Sequence, residues 1–348
     1  MKNGLLWIAC LVFITLCLPV VSLAGGVVNV YNWEDYICQD ALDLFTEETG
    51  ISVNMMNFTT NEDMMVQLRN SPASFDVVFP SDYCVERLIS ENLLEELDFS
   101  NIPNLQYIDP NLINPAYDKD NKFSVPYMWG TVGILYNTTM VEGSITSWAS
   151  LFDVQYRNNV FMMYSIRDTM GIALKYLGYS MNTRDPLEIN AAKEALIQQK
   201  RAGIVKAYQV DETKDKMVGG EAALALVWSG DAQYAIDLNP DLAYIVPIEG
   251  SNIWVDAMVI PRGARNKVNA EIFIDFMCRP DVAQMNCNEI WYSTPNTVAV
   301  ELMGEDYQNN LTMNPTQDII DRCEFFNDIE DRYLIIYNTM WNEIMSAK

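Results

Sequence analysis

The sequence predicts an α/β protein built on a sheet of parallel strands, with the chain divided between two domains. Three observations carry this prediction. Past residue 25 the chain alternates short runs rich in Val, Ile and aromatic residues with amphipathic stretches of helical period. Glycine and capping residues punctuate these units. The remaining length, residues 25–348, is too great for one small core, yet no long Gly/Ser/Pro linker separates two halves. A chain that crosses between domains more than once satisfies both facts.

The first element is a strand over 27–33. It leads into "CQDALDLFTEETG", where Ala41, Leu42, Leu44 and Phe45 form a helical stripe that ends at Gly50. "ISVNMMNF" follows as a strand, then an acidic, Met-bearing helix near 61–70, then "FDVVFPSDY". Such β-α-β-α-β units favour parallel strands, with ligands held beyond the strands' carboxyl ends. Further strands are expected at 132–136, 159–164, 223–228, 243–247 and 253–260, and helices at 168–179, 187–201, 267–277, 280–289 and 331–345. The nineteen methionines, Met55, Met56, Met64 and Met65 among them, read as core filling rather than thioether chemistry.

The N-terminus reads as a secretory signal peptide over 1–24. Lys2 precedes an apolar run from Leu5 to Val21, and Ser22, Leu23 and Ala24 give a small-x-small cleavage pattern. A retained membrane anchor is the rival reading, opposed by Pro19 and the cleavage pattern. Lipidation at Cys10 or Cys17 is a further alternative. Cys17 follows Leu16 where a small residue is expected, and Cys10 comes early in the apolar run.

The formal charge is −25, and losing Lys2 with the leader makes it more negative. Nucleic acid and anionic membrane are poor partners for such a surface, whereas a small polycation is attracted to it. Acidity also serves solubility alone. The chain has no histidine, which excludes Ser-His-Asp and Cys-His catalysis and His-ligated zinc. Five cysteines follow the leader, Cys38, Cys84, Cys278, Cys287 and Cys323, an odd number without a C-x-x-C spacing.

A recurrent pattern lies at the strand ends. "VYNWEDY" joins Trp33 and Tyr36 to Glu34 and Asp35. "PSDY" gives Ser81, Asp82 and Tyr83; "VWSGDA" gives Trp228, Ser229 and Asp231; "IWVDAM" gives Trp254 and Asp256; "EIWYSTPN" gives Trp291, Tyr292 and Thr294. Carboxylates accept charge-assisted hydrogen bonds from protonated amines. Trp and Tyr faces pack against methylenes and add about 0.5–2 kcal/mol of cation–π attraction per well-placed ring. Because unpaired buried charge is costly, several acids spaced along an aromatic slot select a molecule with several cations at fixed spacing, the shape of an alkyl polyamine.

At these residues the chain resembles the extracytoplasmic spermidine/putrescine-binding proteins of polyamine ABC transporters. The resemblance covers nearly all of the chain after the leader. It rests on "YNWEDYI", "FDVVFPSDYCVERL", "VPYMWGTVGILYN", "SWASLFD", "LGYSMNTRDPLEI", "VWSGDAQYA", "IWVDAMVIP", "FMCRPDVAQ" and "YSTPN", in that family's order. It implies a two-lobed periplasmic-binding-protein fold of type II, with 25–130 and 254–300 in one lobe, 131–253 and 301–348 in the other, and ligand between them. It further implies a monomer in the periplasm, or tethered at the cell surface where an outer membrane is lacking. Putrescine or spermidine is the implied ligand and membrane permease subunits the partners, with no cofactor and no catalysis. The family's aromatic walls fall on Trp33, Tyr36, Tyr83, Trp228, Trp254 and Tyr292. Its amine-binding acids fall on Asp35, Asp168, Asp231 and Asp256, with Ser81 as a polar partner. Ser165 stands where spermidine-preferring members carry a carboxylate, and Phe326 where they carry an amide. With Asp231 these resemble putrescine-preferring members, while Tyr83 and Trp254 resemble the others; the balance leans to putrescine. Arg167 reads as structural or salt-bridged.

Blander readings stand beside these. Tyr36, Tyr83 and Tyr292 also suit ordinary packing, and Glu34, Asp82 and Glu249 suit solvated positions, or in the first two a place at the site's rim or behind it. Cys38 and Cys84 each fall within two residues of a site residue, so the sequence allows a disulfide between them. A carboxylate-pair glycoside hydrolase needs no histidine and is the enzymatic rival; a two-lobed binding protein for ferric iron or thiamine is the other.

Overall fold

The computed structural model describes residues 25–348; the leader with Cys10 and Cys17 lies outside the described residues. The strands are β1 (Gly26–Trp33), β2 (Ile51–Phe58), β3 (Val77–Val78), β4 (Ser124–Asn137), β5 (Val160–Met163), β6 (Val205–Gln209), β7 (Leu224–Trp228), β8 (Leu242–Ile245) and β9 (Ile253–Val259). The helices are α1 (Gln39–Thr49), α2 (Asn61–Asn70), α3 (Asp82–Ser90), α4 (Ile166–Tyr176), α5 (Pro186–Arg201), α6 (Glu212–Val218), α7 (Ser229–Leu238), α8 (Lys267–Met277), α9 (Pro280–Ile290), α10 (Thr297–Leu302), α11 (Gly304–Gln308), α12 (Gln317–Ile320) and α13 (Asp331–Ser346).

Local chemistry sets the helix ends. Thr60 accepts Asp63 N–H to cap α2, and Asp185 caps α5 ahead of Pro186, whose missing N–H costs nothing in a first turn. Gly50, at φ 70°, ends α1 in the left-handed conformation.

The strands form one mixed sheet in the order β2-β1-β3-β9-β4-β7-β5-β6, with β8 also on β4. The expected parallel pairing holds for β1 with β2 and β3, and for β5 with β6 and β7. It fails in the middle, where β9 runs antiparallel to β3 and β4, and β4 antiparallel to β7 and β8. β4 is long enough to pair with β9 along Ser124–Thr131 and with β7 along Val132–Tyr136, so one strand joins two sub-sheets. Only its second half was expected from sequence. Pro126, which argues against a strand interior, sits beside a register shift between Pro126 and Met128.

Fully buried Phe45, Phe79, Phe161, Phe273 and Trp148 anchor the cores, each contributing about 1.5–3 kcal/mol of hydrophobic burial. Met64 and Met65 are buried, as core filling requires, while Met56 is exposed. The disulfide suggested for Cys38 and Cys84 is not formed: both are free, and they pack in different core clusters. Cys38 N–H is bonded to Asn286 Oδ1 at the start of α1, while Cys84 on α3 belongs to the cluster that holds Met64 and Leu68. No helix among the described residues is long and apolar enough to cross a membrane.

Candidate functional site

The strand ends converge where β9 crosses the sheet. Asp256 is 7% exposed and accepts two hydroxyls, Tyr36 O–H at 2.9 Å on Oδ2 and Ser81 O–H at 2.7 Å on Oδ1. Tyr36 is aimed inward by the turn after β1, where Asn32 Nδ2 donates to Tyr36 O and Tyr127 O–H donates to the same carbonyl. Ser81 is placed by an antiparallel bridge to Asp256 and by Ala257 N–H bonding to Pro80 O. Burial pushes the Asp256 carboxyl up to about 6, with the Ser81 and Tyr36 hydroxyls pulling the other way.

Aromatic rings pack beside Tyr36, one of this carboxylate's two partners. Tyr292 lies edge-on to Tyr36 at 5.6 Å and to Trp254 at 5.3 Å. Two glycines admit these rings. A Cβ on Gly130 would stand 2.7 Å from Trp254 Cζ2, and one on Gly230 would stand 2.5 Å from Tyr292 Cδ1. Trp33 packs on Phe58 and donates its indole N–H to Phe79 O at 2.9 Å. Trp228 ends β7 and precedes α7, which carries Asp231 in its first turn. Burial pushes the Asp231 carboxyl up to about 6, against the Lys214 ammonium and the Tyr292 hydroxyl. Lys214 Nζ stands 3.7 Å from Asp231 Oδ1.

Asp168 is buried at the start of α4. Ser165, the N-cap, donates its hydroxyl to Asp168 Oδ2 at 2.5 Å and accepts Asp168 N–H at 3.4 Å, a capping pair that fixes the carboxylate's rotamer. Asp168 is raised by burial, opposed by Ser165 and Arg167. Asp35 is exposed, on the turn after β1 at φ 50°, while its neighbour Tyr36 points inward.

Of the two readings of Asp82 the solvated one fails and the place behind the site stands: it is 1% exposed and accepts Tyr83 N–H and, at 3.4 Å, Val255 N–H, so it braces β9 behind Asp256. Burial pushes its carboxyl well up. Glu249 is half-buried rather than solvated and accepts the Ser147 hydroxyl beside Trp148. Among the described residues Arg167 makes no ion pair, so of its two readings the structural one stands. Its guanidinium lies 4.3 Å from the Phe326 ring centre and 5.4 Å from that of Tyr83, with Nη1 and Nη2 donating to Asn327 O. Among the described residues Arg167 Nε and Trp254 Nε1 are buried without a hydrogen-bond partner, an uncommon state that singles out positions in need of explanation.

Sequence reasoning missed Asn61. Its carboxamide accepts Ser81 N–H and donates to both Ser81 Oγ and Tyr83 Oη at 3.0 Å, extending the chain of bonds that ends on Asp256. Asn61 follows the Thr60 cap, which gives a sufficient local reason for a polar residue and so hides this second use. A separate cavity of about 300 Å3 opens beside Trp129, lined by Asp109, Thr294 and Glu301. Trp129 and Gly130 leave opposite faces of β4, so this cavity and Trp254 lie on different sides of that strand.

A carboxylate fixed by two hydroxyls, a further acid, Asp231, that shares the neighbouring Tyr292 with it, and rings of Tyr and Trp beside them suit a small organic cation. The family model of bacterial extracellular solute-binding proteins matches residues 40–315. The chain is similar to the spermidine/putrescine-binding periplasmic protein of Salmonella typhimurium, 36% identical over 320 residues and covering 91% of each chain. It is also similar to the putrescine-binding periplasmic protein PotF of Escherichia coli, 27% identical over 341 residues, covering 92% of this chain and 91% of that one. Among solved structures, the spermidine/putrescine ABC transporter substrate-binding protein PotD from Streptococcus pneumoniae, in complex with calcium and HEPES, superimposes with a TM-score of 0.83. It is 34% identical and covers 92% of this chain and 99% of that one. Matched along most of its length, the chain belongs to the bacterial extracellular solute-binding protein family.

Proposed function

We propose that this chain is the substrate-binding component of a polyamine ABC importer, capturing putrescine, spermidine or both outside the cytoplasmic membrane and delivering them to a membrane permease. The observation that carries the reading is Asp256, a buried carboxylate on β9, the strand paired with β3 and with the first half of β4, held by Tyr36 and Ser81 beside the Tyr292 ring. The ligands named for the Salmonella and Escherichia coli relatives support it.

In this reading one ammonium binds Asp256, the methylenes lie against Trp254, Tyr292, Tyr36 and Trp228, and the far ammonium meets Asp231 or Asp168. Trp33 and Tyr83 extend the walls, and Asp35 attracts cations at the rim. The lobes comprise 25–130 with 254–300 and 131–253 with 301–348; β4 and β9 form the hinge between them. A ligand that binds the closed arrangement better than the open one drives closure. The protein works as a monomer and binds without catalysing. Putrescine is preferred, because the Ser165 hydroxyl and the Phe326 ring give a third ammonium no carboxylate or amide.

Calorimetric titration of the ligand-stripped protein with putrescine and spermidine, at two salt concentrations, tests this. One-to-one binding at micromolar affinity or tighter, weakening with salt, is expected. No heat with either amine, on protein shown to be folded, overturns it.

A further inference from the structure

Arg87 lies one turn beyond Tyr83 on α3, so both side chains leave the same face of that helix. Tyr83 goes to the aromatic wall, where its ring lies edge-on to Phe326 at 6.5 Å. Arg87 goes to the chain immediately after Phe326. Its Nε stands 2.9 Å from Asp328 Oδ1 and its Nη1 2.8 Å from Asp331 Oδ1, while Nη2 donates to Ile329 O at 2.7 Å. Beside it Glu86 accepts Asp328 N–H at 2.7 Å.

These bonds join two separately anchored pieces. Helix α3 packs on β9 and into the core of β1, β3 and α2. The segment 325–331 leads into α13, which packs on α5 and α4. It is held there by Asn182 Nδ2 on Phe325 O, by Arg167 on Asn327 O and by Arg184 on Asp328 O. Arg87 therefore fastens to α3 the strap that carries Phe326. Its side chain is 13% exposed, and Glu91 stands 3.7 Å away, itself paired with Arg69. Without Arg87, Glu91, Asp328 and Asp331 would confront one another in a chain already strongly acidic, and their repulsion would drive the strap from α3.

We propose that Arg87 is a positioning residue for ligand capture, clamping the 325–331 strap to α3 so that Phe326 and Arg167 meet Tyr83. It stabilises the closed arrangement without contacting the ligand. For its ligand arm this rests on the polyamine reading above.

The test is putrescine titration and stopped-flow dissociation for the full chain and for Arg87→Ala, Arg87→Lys, Asp328→Asn and the Arg87→Ala/Asp328→Asn pair. X-ray scattering is recorded with and without ligand. Arg87→Ala is expected to bind about 10-fold more weakly, chiefly through faster release. Arg87→Lys should recover part of the loss, and the double variant should lose less than the sum of the single losses. Arg87→Ala should also compact less on ligand addition. Wild-type affinity in folded Arg87→Ala, or strict additivity in the double variant, overturns the proposal. Should Arg87→Ala not fold, Arg87→Lys and Asp328→Asn carry the test, and wild-type affinity in both overturns it. Should the unaltered protein bind neither amine, the polyamine reading fails by itself. Hydrogen exchange of 325–331 then decides the clamp: faster exchange in Arg87→Lys upholds it, and unchanged exchange overturns it.

Discussion

Lys214 holds its ammonium 3.7 Å from the Asp231 carboxylate, on the acid that the polyamine reading assigns to a ligand amine. The pair is loose and Lys214 is one-third exposed, so its own strength is modest, about 0.2–1 kcal/mol. A ligand ammonium must displace or share this tethered cation. Lys214→Met is therefore expected to tighten putrescine binding by about 2- to 5-fold. Calorimetry reads the change, and weaker binding would show that Lys214 helps hold the ligand or its site instead.

Asp256 is the acid with the most complete support. Asp256→Asn keeps the shape but removes the charge that pairs with an ammonium, and it should weaken binding by about 3–5 kcal/mol. Tyr36→Phe removes one of the two hydroxyls on Asp256 and should cost about 0.5–1.5 kcal/mol. Near-normal affinity in Asp256→Asn would remove its assigned role.

The raised carboxyls set a pH window. Asp231 and Asp256 protonate near 6 in the folded chain, against about 3.9 in an unfolded one. The folded state therefore holds protons that the unfolded state has released between about pH 4 and 6. The stability these groups contribute is present in full below about 4 and is lost as pH rises through about 6. The ligand-free melting temperature of Asp256→Asn should gain on the wild type across that rise. Binding runs the other way. Alkyl ammonium groups stay charged throughout, while the acids must ionise to accept them, so putrescine affinity should fall below about pH 6. An affinity constant from pH 5 to 7.5 would separate these carboxyls from the ligand.

Much of this site was legible because it lies at strand ends, where an apolar run of period two gives way to polar residues. β1 and β7 show that junction, with Tyr36 and Asp231 just beyond it, while Asp256 was readable as the lone carboxylate inside the apolar run of β9. What sequence could not show was which neighbour points inward. Asp35 and Tyr36 are adjacent, and a turn residue at φ 50° leaves the first exposed and the second buried. Nor could it show long-range bracing such as Asn61 on Ser81 or Asp82 on Val255 N–H, which tertiary placement alone creates. The long strand β4 was half-hidden by Pro126, and the seven-residue α6 by its short length.

Gly130 supplies a test that removes no polar group. It faces Trp254 across the β4–β9 pairing, and the strand accepts the indole only because no Cβ is present. An alanine there would meet both Trp254 Cζ2 at 2.7 Å and Ser229 Oγ at 2.6 Å, closer than packed atoms tolerate. Backbone strain is not the issue, since the neighbours alone make the clash. Either β4 and β9 part slightly or the indole rotates off the strand, and overpacking of this kind costs about 1–3 kcal/mol. If Trp254 is a wall of the amine slot, Gly130→Ala should weaken putrescine binding by more than it lowers stability, because the ring moves even where the fold survives. Chemical denaturation and calorimetry on the same sample separate the two. A stability loss with unchanged affinity would leave Trp254 as a packing residue and place the ligand elsewhere.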